Sequence, residues 1–254
     1  MLWVPAGLAL GLLVLPLVAL VVRAPWSELP SLLSQPTVAQ ALGLSLATAG
    51  VSTLVCLLLG IPLALVLDRS SQWPAVPRRL LRSLISVPLV LPPVVGGVAL
   101  LLLLGRRGLI GQWLPFSIPF TPLAVVIAQV FVSLPFLVIA VEGALRSSDR
   151  RVEIAAATLG ASRLTVLRRI TLPLVAPGIA SGALLCFTRS LGEFGATITF
   201  AGSFPGTTQT LPISTYLLLQ TDPDAAIALA LVLMVVSVVV LLGLRDRWVP
   251  GVLP

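Results

Sequence analysis

Six stretches of this chain are apolar over lengths close to or above the ~20 residues that a helix needs to cross a bilayer. They run Leu2–Val22, Val38–Leu67, Leu84–Leu104, Pro122–Val141, Leu174–Phe200 and Ala225–Leu244. With 57% hydrophobic and 10% charged residues, the six use most of the chain and leave no sizeable soluble domain. The expected fold is an all-α integral membrane protein, a single transmembrane domain over residues 1–254 with about six transmembrane helices. The first stretch is read as a retained helix and not as a signal peptide. No basic residue precedes Arg23, the apolar run exceeds an ordinary h-region, and "VVRAPW" is a poor cleavage site.

The arginines give orientation, because the chain has no lysine. Arg69, Arg78, Arg79 and Arg82 follow the second span. Arg146, Arg150, Arg151, Arg163, Arg168 and Arg169 lie between the fourth and fifth, and Arg245 and Arg247 follow the sixth. The other side carries only Arg23, Arg106 and Arg107. The positive-inside rule then places both termini in the cytoplasm of a multi-pass protein. The net charge of +7 is mostly this topology signal. Arginines scattered over membrane-flanking loops, with no recognition module around them, do not make a nucleic-acid partner.

Missing residue types exclude whole chemistries. There is no histidine, and the two cysteines, Cys56 and Cys186, both lie inside spans, so neither a His/Cys metal site nor a disulfide framework is expected. Without lysine there is no phosphate loop ending in Gly-Lys-Ser/Thr and no Schiff-base nucleophile. No catalytic residue and no resident cofactor is therefore assigned. If nucleotide energy drives this protein, a separate polypeptide binds the ATP.

One segment, residues 151–173, is not built for lipid. "EIAAATL" is a run of strong helix formers, Gly160 suits the left-handed end of a helix, and Ser162 suits the cap of the next. Leu164, Leu167 and Ile170 then recur at helical spacing, with Arg163, Arg168 and Arg169 on other faces. Pro173 is expected to turn the chain into the fifth span. Two short helices around a knuckle form either a protrusion that enters a partner's groove or a helix lying on lipid headgroups.

Here the sequence resembles a known family. Glu-Ala-Ala, three residues, Gly, nine residues, Ile-x-Leu-Pro is the signature of the inner-membrane permease subunits of binding-protein-dependent ABC importers. Ala155, Ala156, Gly160, Ile170, Leu172 and Pro173 fall on it, while Glu153 stands one position earlier than the commonest spelling. The resemblance implies that the segment couples to an ATPase, with Glu153, Ala155, Ala156, Gly160, Leu164, Leu167, Ile170, Leu172 and Pro173 carrying the contact. It further implies a homodimer, two ATPase subunits and an extracytoplasmic binding protein, in a bacterial inner membrane. "RSLGEFGATITFAGSFPGTTQTLPISTY" and "LVLPPVVGGVALLLLLGRRGLIG" are similar to segments of molybdate permeases, and sulfate/thiosulfate and tungstate permeases share much of the pattern.

The same stretches carry physical candidates. Arg189 and Glu193 stand four apart in the fifth apolar stretch, where a charge costs at least about 2.5–3.5 kcal/mol. They are either a pathway or gate element or a structural ion pair. Pro92, Pro93, Gly96 and Gly97 mark a bent third span that lines the path or the dimer seam, or else only improves packing. Arg106 and Arg107, with Thr207 and Thr208 in "GSFPGTTQT", are outer-mouth candidates for an oxyanion, or simply headgroup anchors and turn residues. An ion-coupled secondary transporter is the alternative of another class; it would show inverted repeats and more buried acids than Glu193 alone.

Overall fold

A computed structural model describes residues 3–248, apart from the side chains at 150, 241 and beyond 242. Leu2 and the tail after Trp248 lie outside the described residues, as do the side chains of Arg245 and Arg247. Every regular element among the described residues is helical. Five helical runs are long and apolar enough to cross a membrane, or six if one bent pair counts as a span.

The centre is three helices in mutual contact: α3 (Pro36–Arg69), α6 (Pro122–Ser147) and α9 (Leu172–Leu191). The buried side of α3 reads Ala41, Ser45, Thr48, Ala49, Ser52, Cys56, Gly60, Ala64, small residues at helical spacing that let backbones approach closely. Gly178 on α9 shows how close: a Cβ there would sit 2.2 Å from the Ala144 Cβ on α6. Cys56, Leu137, Val138, Val141, Val175 and Cys186 fill the space between the three.

Around this core run α1 (Trp3–Arg23), which touches α12 (Pro223–Trp248) and buries no residue, and the short α2 (Leu29–Leu33). Continuous apolar exposure along α1 is what a lipid-facing helix presents. On the same flank, α11 (Leu211–Leu218) packs on α12.

Two expectations need correction, and the bend expected in the third stretch is a full break. The third stretch is not one helix. α4 (Ala75–Val90) and α5 (Pro93–Leu104) meet at 113°. Leu91 and Pro92 each precede a proline, which forces both into extended backbone, at ψ 133° and 132°, and takes two N–H donors from the ladder. By length neither half, at roughly 24 Å and 18 Å, crosses the ~30 Å hydrocarbon core alone.

The fifth stretch also breaks. Helix α9 ends at Leu191, and α10 (Gly195–Ala201) begins after Gly192, Glu193 and Phe194. At the other end of this span, Pro173 does not turn the chain. One helical run goes from Arg163 through Leu191. It starts as α8 (Arg163–Val166) and widens into a π-turn over Leu167–Thr171, where the Leu172 N–H reaches back to Leu167 O. A proline ring crowds the carbonyl four residues before it, and the wider turn relieves that crowding.

Candidate functional site

The protruding segment forms as its residues dictate. Asp149 caps α7 (Arg150–Thr158) by accepting from the Arg151 N–H at 2.9 Å. Gly160 then takes φ +86°, and the chain closes the helix with the Ala161 N–H on Ala156 O and the Gly160 N–H on Ala157 O, both 3.0 Å. That pair of bonds is the Schellman C-terminal motif. Ser162 caps α8, accepting from the Thr165 N–H at 3.2 Å.

The knuckle is open on its outer side. Ile154 is 64%, Leu159 89% and Leu164 54% exposed, and Val152, Ala155 and Gly160 are exposed too. Ala156, Ile170 and Leu172 are half-buried and Pro173 is exposed. Leu164 is thus exposed, whereas Leu167 is half-buried. With Leu65, Glu153, Ile154, Val166 and Thr171, Leu167 lines a cleft of about 270 Å³ between the protrusion and the core helices. Glu153 is likewise half-buried, its Oε1 accepting from the Thr171 hydroxyl at 2.6 Å. Ile154 and Leu159, absent from the expected set, are the larger exposed groups; their signal was an apolar side chain on an otherwise polar loop.

Deeper in the bundle, Arg189 Nη1 and Glu193 Oε2 stand 2.6 Å apart, and Glu193 is 1% exposed. They do not share a helix face, because Glu193 lies in the break after α9. Its other oxygen accepts from the Ala196 N–H at 2.8 Å and so supplies the cap at the start of α10. One carboxylate thus closes a charge pair and a helix terminus together.

Gly96 and Gly97 are buried, and with Pro93 they seat α5 against α10 and α6. A Cβ on Gly97 would lie 2.8 Å from Ala196 O, one on Gly96 2.9 Å from the Phe131 ring, and one on Gly195 2.9 Å from Pro93. Pro92 and Pro93 are exposed at the bend.

The outer-mouth candidates separate as well. Thr208 is fully buried, and its hydroxyl accepts from the Phe204 N–H at 3.0 Å, bracing the loop from inside. Thr207 is exposed. Arg106 borders a cleft with Gln112 and Ser117, whereas Gly206 and Gln209 border a different one beside Gln35 and Gln40.

Two polar groupings were missed. Glu142, 6% exposed, accepts from Arg82 of α4 and from Arg146 at 2.8 Å, tying the bent helix to α6. The i, i+4 spacing of Glu142 and Arg146 was the available signal. In the core, Gln129 accepts from the Ser52 hydroxyl at 2.8 Å and donates to Thr48 at 3.2 Å, and Ser133 bonds Ser190 at 2.9 Å.

The fold is that of a multi-pass helical membrane protein with an exposed, capped knuckle. The chain belongs to the family described as the binding-protein-dependent transport system inner membrane component, whose model matches residues 56–250.

Among its relatives is the molybdenum transport system permease protein of Mycobacterium tuberculosis, 53% identical, with 96% of this chain and 93% of that protein covered. The protein of the same name from Escherichia coli is 42% identical over 82% of this chain and 92% of its own. The sulfate transport system permease protein of Salmonella typhimurium is 35% identical over 92% and 86%. Among solved structures, a bacterial alginate ABC transporter aligns with TM-score 0.71 at 18% identity, covering 96% of this chain and 93% of that one. That likeness is one of fold.

Proposed function

We propose that this chain is the membrane-spanning subunit of an ATP-driven importer and carries molybdate across the inner membrane. The observation that carries the reading is the open knuckle between Ile154 and Leu164. It is shaped for a partner, in a chain without a lysine and so without a phosphate loop of its own. Two copies of the chain, two ATPase subunits that bind ATP, and an extracytoplasmic binding protein that delivers the anion complete the machine. The chain itself holds no cofactor and has no catalytic residue. Molybdate is favoured over sulfate because the relatives named for molybdenum transport are the more similar ones.

The test is uptake into vesicles holding the complex with its ATPase and binding protein. ATP-dependent uptake of molybdate well above sulfate is expected. Uptake without the ATPase, driven by an ion gradient, would make it a secondary transporter.

The orientation that goes with this reading puts Arg78 and both termini in the cytoplasm and the loop around Thr208 outside. Single cysteines placed at Arg78 and Arg245 should resist a membrane-impermeant maleimide in intact cells, and one at exposed Thr207 should react. Labelling of Arg78 and Thr207 positions from the same side would leave the bent pair α4–α5 as a re-entrant hairpin and the span count at five.

A further inference from the structure

We infer that Glu153 is a positioning residue inside this chain, a strut that passes movement from the knuckle to the fifth span through Thr171. The inference rests on the coupling role proposed above and adds the route by which force enters the membrane.

Position in the sequence is the first observation. Glu153 stands seven residues before Gly160 and Ile154 six, so on a helix the two side chains point about 100° apart. Ile154 is 64% exposed at the mouth of the cleft that both residues border. Glu153 is half-buried and reaches across to the foot of α9. The second observation is its partner. Thr171 is 6% exposed and belongs to the π-turn at the foot of α9, and its hydroxyl donates to Glu153 Oε1 at 2.6 Å across 18 residues of chain.

The third observation is the space around this bond. The cleft of about 270 Å³ lies where α7 faces the core, with Leu65 and Leu145 on its far wall. Close apolar packing therefore does not clamp α7 to the bundle along this side. A push on α7 would partly collapse the cleft unless something stiff bridged it. A short charge-assisted hydrogen bond to the π-turn is such a bridge, and it lands where the helix is already widened.

The test uses the assembled complex with its ATPase and binding protein, measuring anion taken up per ATP hydrolysed beside ATPase retained on pull-down. Glu153→Ala and Thr171→Val should each lower the uptake-to-hydrolysis ratio by about tenfold, the loss of one hydrogen bond to a charged group. The double variant should fall no further. Thr171→Ser, which keeps the hydroxyl, should restore most of the ratio, and ATPase retention should stay at the unsubstituted level throughout. Loss of the ATPase from Glu153→Ala but not from Thr171→Val would make Glu153 a docking contact and overturn the strut. Additive losses in the double variant would overturn it too, since the two groups would then act separately. Failure of the unsubstituted chain to retain any ATPase is a different result, and it would overturn the coupling role itself.

Discussion

Replacing Arg189 alone with methionine is expected to harm the protein more than replacing Arg189 and Glu193 together with methionine and glutamine. The single change leaves the Glu193 carboxylate, 1% exposed, with a helix N–H but no counter-charge. Stranding a buried charge in this way costs about 3–5 kcal/mol, whereas removing both charges together is often close to neutral. Glu193→Gln should be milder, because the amide oxygen still accepts from the Ala196 N–H and Arg189, 27% exposed, is the less enclosed partner. Membrane yield, thermal unfolding in detergent and uptake, measured for the two single variants and the double, form the cycle. Additive effects on all three readouts would mean that the pair contributes nothing as a pair.

Gly160→Asp should reduce anion uptake by roughly ten- to hundredfold while the subunit still inserts and accumulates normally. Within this chain a Cβ at Gly160 meets no atom within 4 Å, so the only internal cost is the backbone at φ +86°. Aspartate tolerates that geometry better than most residues, and the cost is about 1–2 kcal/mol at most. A large loss of uptake therefore reports a clash or an unwelcome charge on the partner's side. Gly160→Asn carries the same backbone cost without the charge and should fall between the two. Ala156→Phe should act similarly by bulk. Full uptake and full ATPase retention in both Gly160→Asp and Ala156→Phe would leave the segment as a headgroup-bound helix.

The long helices were legible because hydrocarbon thickness is a hard ruler. The second, fourth and sixth apolar stretches lie within α3, α6 and α12, which run on by a few residues. The breaks were less legible, and proline shows why. Pro16, Pro62, Pro88, Pro135 and Pro177 all sit inside helices that continue past them. A lone proline removes one bond and bends the rod, but the pair Pro92–Pro93 puts two successive residues out of helical space. The sequence "LPPV" supports a bend; its size, 113°, needs the neighbouring helix that receives α5.

Glu193 was found as a buried acid, but its capping of α10 was not, since Gly192 is as common within membrane helices as at their ends. The core hydroxyls and Gln129 gave no signal at all. Isolated Ser and Thr in apolar runs usually bond their own preceding turn, as Thr53 does to Ala49 O at 2.7 Å. Only the packing of α3 on α6 brings Ser52 and Thr48 to Gln129. In the knuckle the caps at Gly160 and Ser162 were legible, and the one at Asp149 was not anticipated. The partial burial of Glu153 and Leu167 was not legible, because it depends on where the cleft lies.

The absence of a turn at Pro173 makes one continuous helical run of what looked like two parts. The run from Arg163 to Leu191 has 29 residues and is about 40 Å long. Its foot is the second half of the knuckle, and its tip carries Arg189 beside the Glu193 break. A rod of that length tilted by about 10° at the foot moves its tip by about 7 Å, more than one helical turn. Under the coupling role proposed above, a small displacement at the foot would be enlarged on the way into the bilayer. It would arrive at the break between α9 and α10, where Glu193 joins Arg189 to the start of α10.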